Sequence, residues 1–414
     1  MDASKFIRFS FKHLMIKPVR YTASTVASWM TKIKSDQIIY EQYCKFMREC
    51  YRNSNRVAWV PFVYPVEILY SMNLLPFTTE IFGSNYARVP GLIPDAFERA
   101  FQIGLSADSC SFHHASVGIF SQNILPKAKI ILGGTPTGCE DQYHSLRILA
   151  KMFKTKYYAI DIPRNYSGEK EKFEYFKNEL YGLIEFCEKE TEFKFEKEEL
   201  RKINSCYRGV YYKYEKIMEL KADVPAKLFE GHFTAISSVL VDYVGSLERI
   251  EKYFDKAIKD FNYLKFPTMG DSSKRIAWIG HPIVPLRKLQ YFLAERNAFI
   301  GYQEFMESTV PPPSKRDDPI EEVAEKYLSA YSNVPIEKRL DVIRKRLSKH
   351  RYDGIVYMTS WGCHQLNSAA SYIVENLKED YPVVLIDSDS CNIKNVGEEQ
   401  VKMRLEALLE LIEQ

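Results

Sequence analysis

Val57-Ala58-Trp59-Val60 is a short apolar run that stops at Pro61. Four apolar residues in a row, two of them β-branched, closed by a proline, fit a strand buried on both faces. Helical spacing follows: Val66, Ile68, Leu69 and Met72 recur on one side, with Pro65 where a first turn tolerates it. The same rhythm of short run, Gly/Pro or polar loop, and helical pattern returns at KIILG (129–133), YYAID (157–161), RIAWIG (275–280), GIVYM (354–358) and PVVLID (382–387). It predicts parallel strands with crossover helices, gathered into two α/β domains.

Between the two sets, from about residue 167 to 263, the chain is rich in Lys and Glu with apolar positions every third or fourth residue. That spacing predicts a helical segment, exposed and amphipathic over 169–190 and more buried over 235–261. The stretch VPPPSKRDDP (310–319) reads as a stiff connector crossing the surface or lining a subunit contact. No short repeat is present, although the two α/β halves can share one ancestral plan. The expected boundaries are a helical extension over 1–54, a first α/β domain over 55–166, the helical segment over 167–270 and a second α/β domain over 271–414.

Composition narrows the partners. A chain of 414 residues with 46% hydrophobic and 27% charged residues is globular and long enough for more than one core. A net charge of +3, with basic residues dispersed among acidic ones, lacks the footprint of a nucleic-acid binder. No run approaches the roughly 18 apolar residues of a membrane span, and residues 1–34 lack the apolar core of a secretory signal. A cytoplasmic protein is expected. Phe6, Phe9, Phe11, Leu14 and Ile16 can form an amphipathic helix packed on the same protein or on a partner, with a membrane surface as the lesser option. Eight cysteines in such a chain point to metal, catalysis or burial rather than to disulfides.

Three cysteines differ from the rest in context. Cys110 (DSCSF), Cys139 (GGTPTGCE) and Cys363 (SWGCH) each lie at or just after the end of an expected strand, where open α/β sheets bind ligands. The glycines before Cys139 let backbone amides approach an anion, and helix N-termini favour thiolate, the ligating form. Spacing does not decide the matter. Cys110 and Cys139 are 29 positions apart and Cys363 lies 224 further on, so neither a zinc CxxC pair nor a ferredoxin run is present. Taken singly, each reads equally as a buried structural thiol. Cys44, Cys50, Cys187 and Cys206 lie on helical patterns and read as packing.

The order and separation of several blocks are more specific. VPFVYPVEILYSMNLLP (60–76), SCSFHHASVG (109–118), LGGTPTGCEDQYHSLR (132–147), YAIDIPRN (158–165), RIAWIGHPIV (275–284), GIVYMTSWGCHQLNS (354–368) and LIDSDSCN (385–392) together resemble the 2-hydroxyacyl-CoA dehydratase and benzoyl-CoA reductase superfamily along roughly 350 residues. The resemblance implies two Rossmann-like domains with a cluster between them, and Cys110, Cys139 and Cys363 as ligands of a [4Fe-4S] cluster with one iron left open. In the resembled dehydratases that iron takes the thioester carbonyl of an acyl-CoA. A separate ATP-hydrolysing activator delivers an electron, and a ketyl radical lets a β-proton and the α-hydroxyl leave. The usual assembly is a heterodimer of homologous subunits, with a homodimer as the alternative. Glu67 matches a family position near the substrate and is a candidate acid or base, as well as a plain first-turn carboxylate. His113 is a second catalytic candidate, with His114, His364 and Ser360 flanking the cysteines. Cys391 is a further thiol within possible reach.

One departure is visible: the common third-cysteine block has an acidic residue after Cys, where this chain has His364. The same scaffold serves an ATP-dependent reductase, of the benzoyl-CoA type or carrying a double-cubane [8Fe-9S] cluster, and a closed electron relay. No phosphate loop is present, so any ATP chemistry is expected to come from a partner.

Overall fold

The computed structural model describes residues 34–87, 96–135, 139–222, 240–263, 272–282, 286–308 and 310–414. The first α/β unit opens with α1 (Lys34–Arg52), β1 (Val57–Val60), α2 (Val66–Ser71), β2 (Leu75–Thr78) and α3 (Thr79–Ala87). It continues through α4 (Ala96–Ile103), α5 (Ser111–Phe120), β3 (Ile130–Gly134), α6 (Glu140–Phe153) and β4 (Lys156–Ile160). Three long helices follow: α7 (Lys170–Glu190), α8 (Lys197–Ala222) and α9 (Leu247–Tyr263). The second unit runs β5 (Lys274–Gly280), α10 (Leu286–Ala294), β6 (Ala298–Gln303), α11 (Glu304–Ser308), α12 (Pro319–Leu328), α13 (Ile336–Leu347), β7 (Gly354–Ser360), α14 (His364–Asn367), α15 (Ala370–Leu377), β8 (Val383–Ser388) and α16 (Glu398–Glu413).

Each sheet has four parallel strands, in the orders β2-β1-β3-β4 and β6-β5-β7-β8. The two orders are the same plan repeated. In each, the chain leaves the first strand for one neighbour and later returns to its other side. A crevice opens at the carboxyl ends where the order reverses, between β1 and β3 and between β5 and β7.

Side-chain alternation explains how the second sheet is covered. Ile276, Trp278, Val356 and Met358 point to one face and pack with Leu405 and Leu408 of α16. Ala277, Ile279, Ile355 and Tyr357 point to the other and pack with Leu340, Ile343 and Ile373 of α13 and α15. The first sheet and the long helices share one continuous core, and Val310, Ile320, Val323, Ala324, Tyr327 and Leu328 belong to it as well. The Pro-rich connector is therefore no surface crossing throughout. Val310 and Pro311 are buried, and the Tyr207 hydroxyl donates to the Pro311 carbonyl at 2.6 Å.

Two strands are missing from the periodicity, β2 and β6. β2 contains Pro76 and β6 contains Gly301, and both are edge strands, where a missing donor or side chain is tolerated. The amphipathic stretch through Phe6 and Ile16, the turn at 136–138 and the first residues of the helix expected over 235–261 lie outside the described residues. Among the described residues no helix is long and apolar enough to cross a membrane.

Candidate functional site

Cys110, Cys139 and Cys363 occupy the same local position on three different elements: each is the residue immediately before a helix, α5, α6 and α14. Cys139 and Cys363 are equivalent in the repeated plan, since each follows the strand beside the point of reversal. None of the three sulfurs closes a capping hydrogen bond. Serine or aspartate there would satisfy the first-turn amides, so cysteine leaves both thiol and amide available. The amides of Phe112, Gln142, Leu366 and Gln365 pull the adjacent thiols down, against a larger upward push from burial.

The sulfurs also sense one another. Burial raises the Cys110 thiol well above the usual range, and the neighbouring Cys363 and Cys139 raise it further. Burial pushes Cys139 up to about 12, with Cys363 adding to the rise. Cys363 is raised too, again chiefly by burial. Three thiols that resist ionisation together are a poor set of free nucleophiles and a good set of ligands, because a bound cation reverses both the burial penalty and the mutual repulsion.

The two domains meet at these loops. Gly362 has φ +74°, and a Cβ there would lie 2.4 Å from the amide nitrogen of Cys110 and 2.4 Å from the Ser109 carbonyl carbon. Only glycine lets the loop after β7 press so closely on the loop before α5. Ser111 donates to Asp389 at 2.5 Å, and Asp389 also receives the amides of Cys391 and Asn392 at 2.8 Å each. Asp141, on the first turn of α6, accepts the Cys110 amide at 2.6 Å and so ties the Cys139 helix to Cys110. His364 lies 3.4 Å from Glu140 across the same seam.

His113 Nε2 lies 3.7 Å from the Cys139 sulfur. Burial lowers its pKa to about 4, so the ring is neutral near pH 7. His114 instead faces the Ser106 carbonyl at 2.8 Å and packs on Phe101. Arg164, just past β4, is half-buried and senses Cys139 and Cys363 electrostatically, although burial lowers its own pKa first. Sequence reasoning passed over it, and its place within YAIDIPRN, at a strand end, is the signal that marks it.

Glu67 lies in a separate polar knot. Its Oε1 accepts the Tyr243 hydroxyl at 2.6 Å and pairs with Lys326 Nζ, while Oε2 accepts the Tyr327 hydroxyl at 3.0 Å. Both Glu67 and Lys326 are buried, and the ammonium lies 3.3 Å from the centroid of the Tyr207 ring. Glu80, on α3, is a buried carboxylate absent from the sequence reading. It accepts the Phe62 amide at 3.1 Å and the Thr79 hydroxyl at 2.8 Å, burial raises its pKa to about 7, and it acts electrostatically on Cys139.

Among the described residues no three His, Cys, Asp or Glu side chains form a single-ion site. The donor set instead suits a polynuclear cluster: three thiols with no disulfide partner, on three separate loops, each facing first-turn amides and each within electrostatic reach of another.

Residues 61–412 match the family described as 2-hydroxyglutaryl-CoA dehydratase, D-component. The chain is also similar to the lactoyl-CoA dehydratase subunit alpha of Anaerotignum propionicum, with 22% identity over 402 residues that cover 88% of this chain and 93% of the relative. With the match spanning β2 to β8 and all three cysteine loops, the chain belongs to the 2-hydroxyglutaryl-CoA dehydratase D-component family.

Proposed function

We propose that this chain is the iron-sulfur subunit of an (R)-2-hydroxyacyl-CoA dehydratase, working with a homologous second subunit and a separate ATP-hydrolysing activator. The observation that carries the reading is the convergence of Cys110, Cys139 and Cys363, each ahead of a helix, from both domains of a chain in a dehydratase family. These three residues would hold a [4Fe-4S] cluster. Such a cluster supplies an iron with an open position and one-electron chemistry.

The chain's own residues do the rest. The glycine contact at Gly362 and the bond from Ser111 to Asp389 close the seam between the domains beside Cys110. His113 is neutral and beside Cys139, so it can take or give a proton there without adding charge to a buried site. Glu67 ties α2 to α12 and to the turn before α9 through its three partners, and it can act on a substrate proton only by exchanging one of them. Net elimination removes a β-proton and the α-hydroxyl as water, so the electron that starts the reaction is not consumed.

A second reading, an ATP-dependent reductase with a double-cubane [8Fe-9S] cluster, is favoured by one observation. Cys391 stands on the loop that Asp389 ties to Ser111 and is fully buried. Anaerobic purification with the companion subunit and activator separates the two: about four irons per chain supports the dehydratase, and about eight supports the reductase. Cys139→Ala is expected to lose most of the iron, the visible absorbance and turnover of a 2-hydroxyacyl-CoA panel. Unchanged iron and turnover would remove Cys139 from the ligand set.

A further inference from the structure

His281 is placed by the backbone with unusual care. Gly280 turns the chain out of β5 at φ +80°, where a Cβ would lie 2.3 Å from the Met358 carbonyl oxygen. The Gly280 amide donates to Glu304 at 2.8 Å, the His281 amide to the Met358 carbonyl at 3.0 Å, and the Trp278 indole to the His281 carbonyl at 2.7 Å. The imidazole held by this frame is only 4% exposed, and neither ring nitrogen has a hydrogen-bond partner among the described residues. Leaving a buried polar group unpaired is costly, and folded proteins satisfy nearly all such groups. A strand-end histidine with two orphaned nitrogens is a site waiting for a polar partner.

Its surroundings say where that partner comes from. His281 follows β5 at the point where the second sheet reverses, next to β7, which leads to Cys363. The ring stacks on Phe305 at 5.7 Å, and Phe305 stacks on Phe62 of the first domain at 5.8 Å and 3°. Both phenyl rings are half-buried and continue the strand ends of opposite domains. The result is an apolar wall across the crevice with one unpaired imidazole beside it, the arrangement of a pocket that grips a hydrocarbon and reads one polar group. Arg339, buried and locked on Glu304 by two bonds, adds its charge to the effect of burial, so the ring is neutral and carries one donor and one acceptor.

We propose that His281 is a specificity-determining residue that hydrogen-bonds the hydroxyl of a 2-hydroxyacyl group, with Phe62 and Phe305 against the hydrocarbon. A hydroxyl both donates and accepts, which a neutral imidazole matches and a saturated acyl chain does not. The proposal rests on the dehydratase reading above.

The test uses the full chain with its companion subunit and without activator, so that nothing turns over. Titration calorimetry gives affinities for a 2-hydroxyacyl-CoA and for the saturated acyl-CoA of equal length, in wild type, His281→Phe and His281→Asn. Wild type is expected to prefer the hydroxylated ligand by about tenfold or more, because a site built around a hydroxyl rejects the analogue that lacks it. His281→Phe should bring the ratio to about one through weaker binding of the hydroxylated ligand alone. His281→Asn, which keeps a donor and an acceptor, should restore part of it, and His281→Met replaces the Phe variant if that fails to assemble. If His281→Phe or His281→Met binds both ligands with the preference intact, the imidazole pairs with buried water only and the proposal is overturned. If wild type binds neither acyl-CoA, the dehydratase reading falls and takes this one with it.

Discussion

Lys326 shows how far one residue can stand from what its neighbourhood in the chain suggests. In the run PIEEVAEKYL it has the look of a solvated helix position, yet its ammonium is buried against Glu67, which precedes it by 259 positions. Burial lowers its pKa and Glu67 opposes the fall. Removing one member of a buried pair strands the other, at about 3–5 kcal/mol. Lys326→Met is therefore expected to lower the free energy of unfolding by that amount in a denaturant titration. Lys326→Met with Glu67→Gln should recover much of it, because no charge is then left unpaired. An additive double variant would mean that the two residues do not form the pair. Cys139 and Cys363 were legible because each follows a strand inside a recognisable block, whereas Cys110, also expected at a strand end, follows α4 and a turn and was marked by its block alone. Lys326 and Glu80 were not, because burial and long-range partners give them their meaning and neither is written in local spacing; Arg164 and His281 had the strand-end signal, and only the structure shows what surrounds them.

At the scale of elements, the apolar runs at 57–60, 129–133, 157–161, 275–280, 354–358 and 382–387 all became strands, and the four central ones, β1, β3, β5 and β7, are apolar on both faces as a covered parallel strand must be. The edge strands β2 and β6 escaped notice where the other edges, β4 and β8, did not, because Pro76 and Gly301 interrupt their apolar pattern. Turns carry the finer information. Gly362→Ala puts a methyl group against the Cys110 backbone at a φ that suits glycine alone. It is expected to part the two cysteine loops and, on the iron-sulfur reading proposed above, to reduce bound iron in the purified protein by more than half, while the far-ultraviolet circular dichroism of the helices stays unchanged. Full iron loading would show that the loops tolerate separation. Just before α9, Tyr243, Val244 and Gly245 are consecutive left-handed residues, and Asp242 caps the turn by accepting the Val244 amide at 3.1 Å. Burial raises the Asp242 pKa from 3.8 to about 7. The folded state thus holds a proton that the unfolded chain releases, so this group's contribution to stability is greatest below about pH 4 and is lost as pH rises toward 7. Asp242→Asn should gain stability relative to wild type between pH 5 and pH 8, read as a widening difference in melting temperature. A constant difference would mean that Asp242 is ionised throughout.

In the whole molecule, the boundary between the domains is not a point on the chain. α12 lies after β6 in sequence but completes the first core, with Ile320, Val323, Ala324, Tyr327 and Leu328 inside it. Arg208 and Asn204 of α8 bind Glu322 of the same helix, and Asn204 also holds the Pro319 carbonyl at 3.0 Å. A fragment ending at residue 270 keeps the whole first sheet yet loses the helix that seals it. It is expected to be insoluble or to unfold without a cooperative transition, whereas the full chain unfolds with the first core intact until α12 leaves. A soluble fragment with a sharp melting curve would show that α12 only decorates that core.

The division of the cysteines between the two sheets bears on biosynthesis. Cys110 and Cys139 leave the ribosome more than two hundred residues before Cys363, and β8, which flanks the strand leading to Cys363, comes later still. On the iron-sulfur reading proposed above, a nascent chain offers two of the three thiols and no third for most of its translation. Insertion of a cluster on all three would then follow the synthesis of Cys363 and of the strands that carry it.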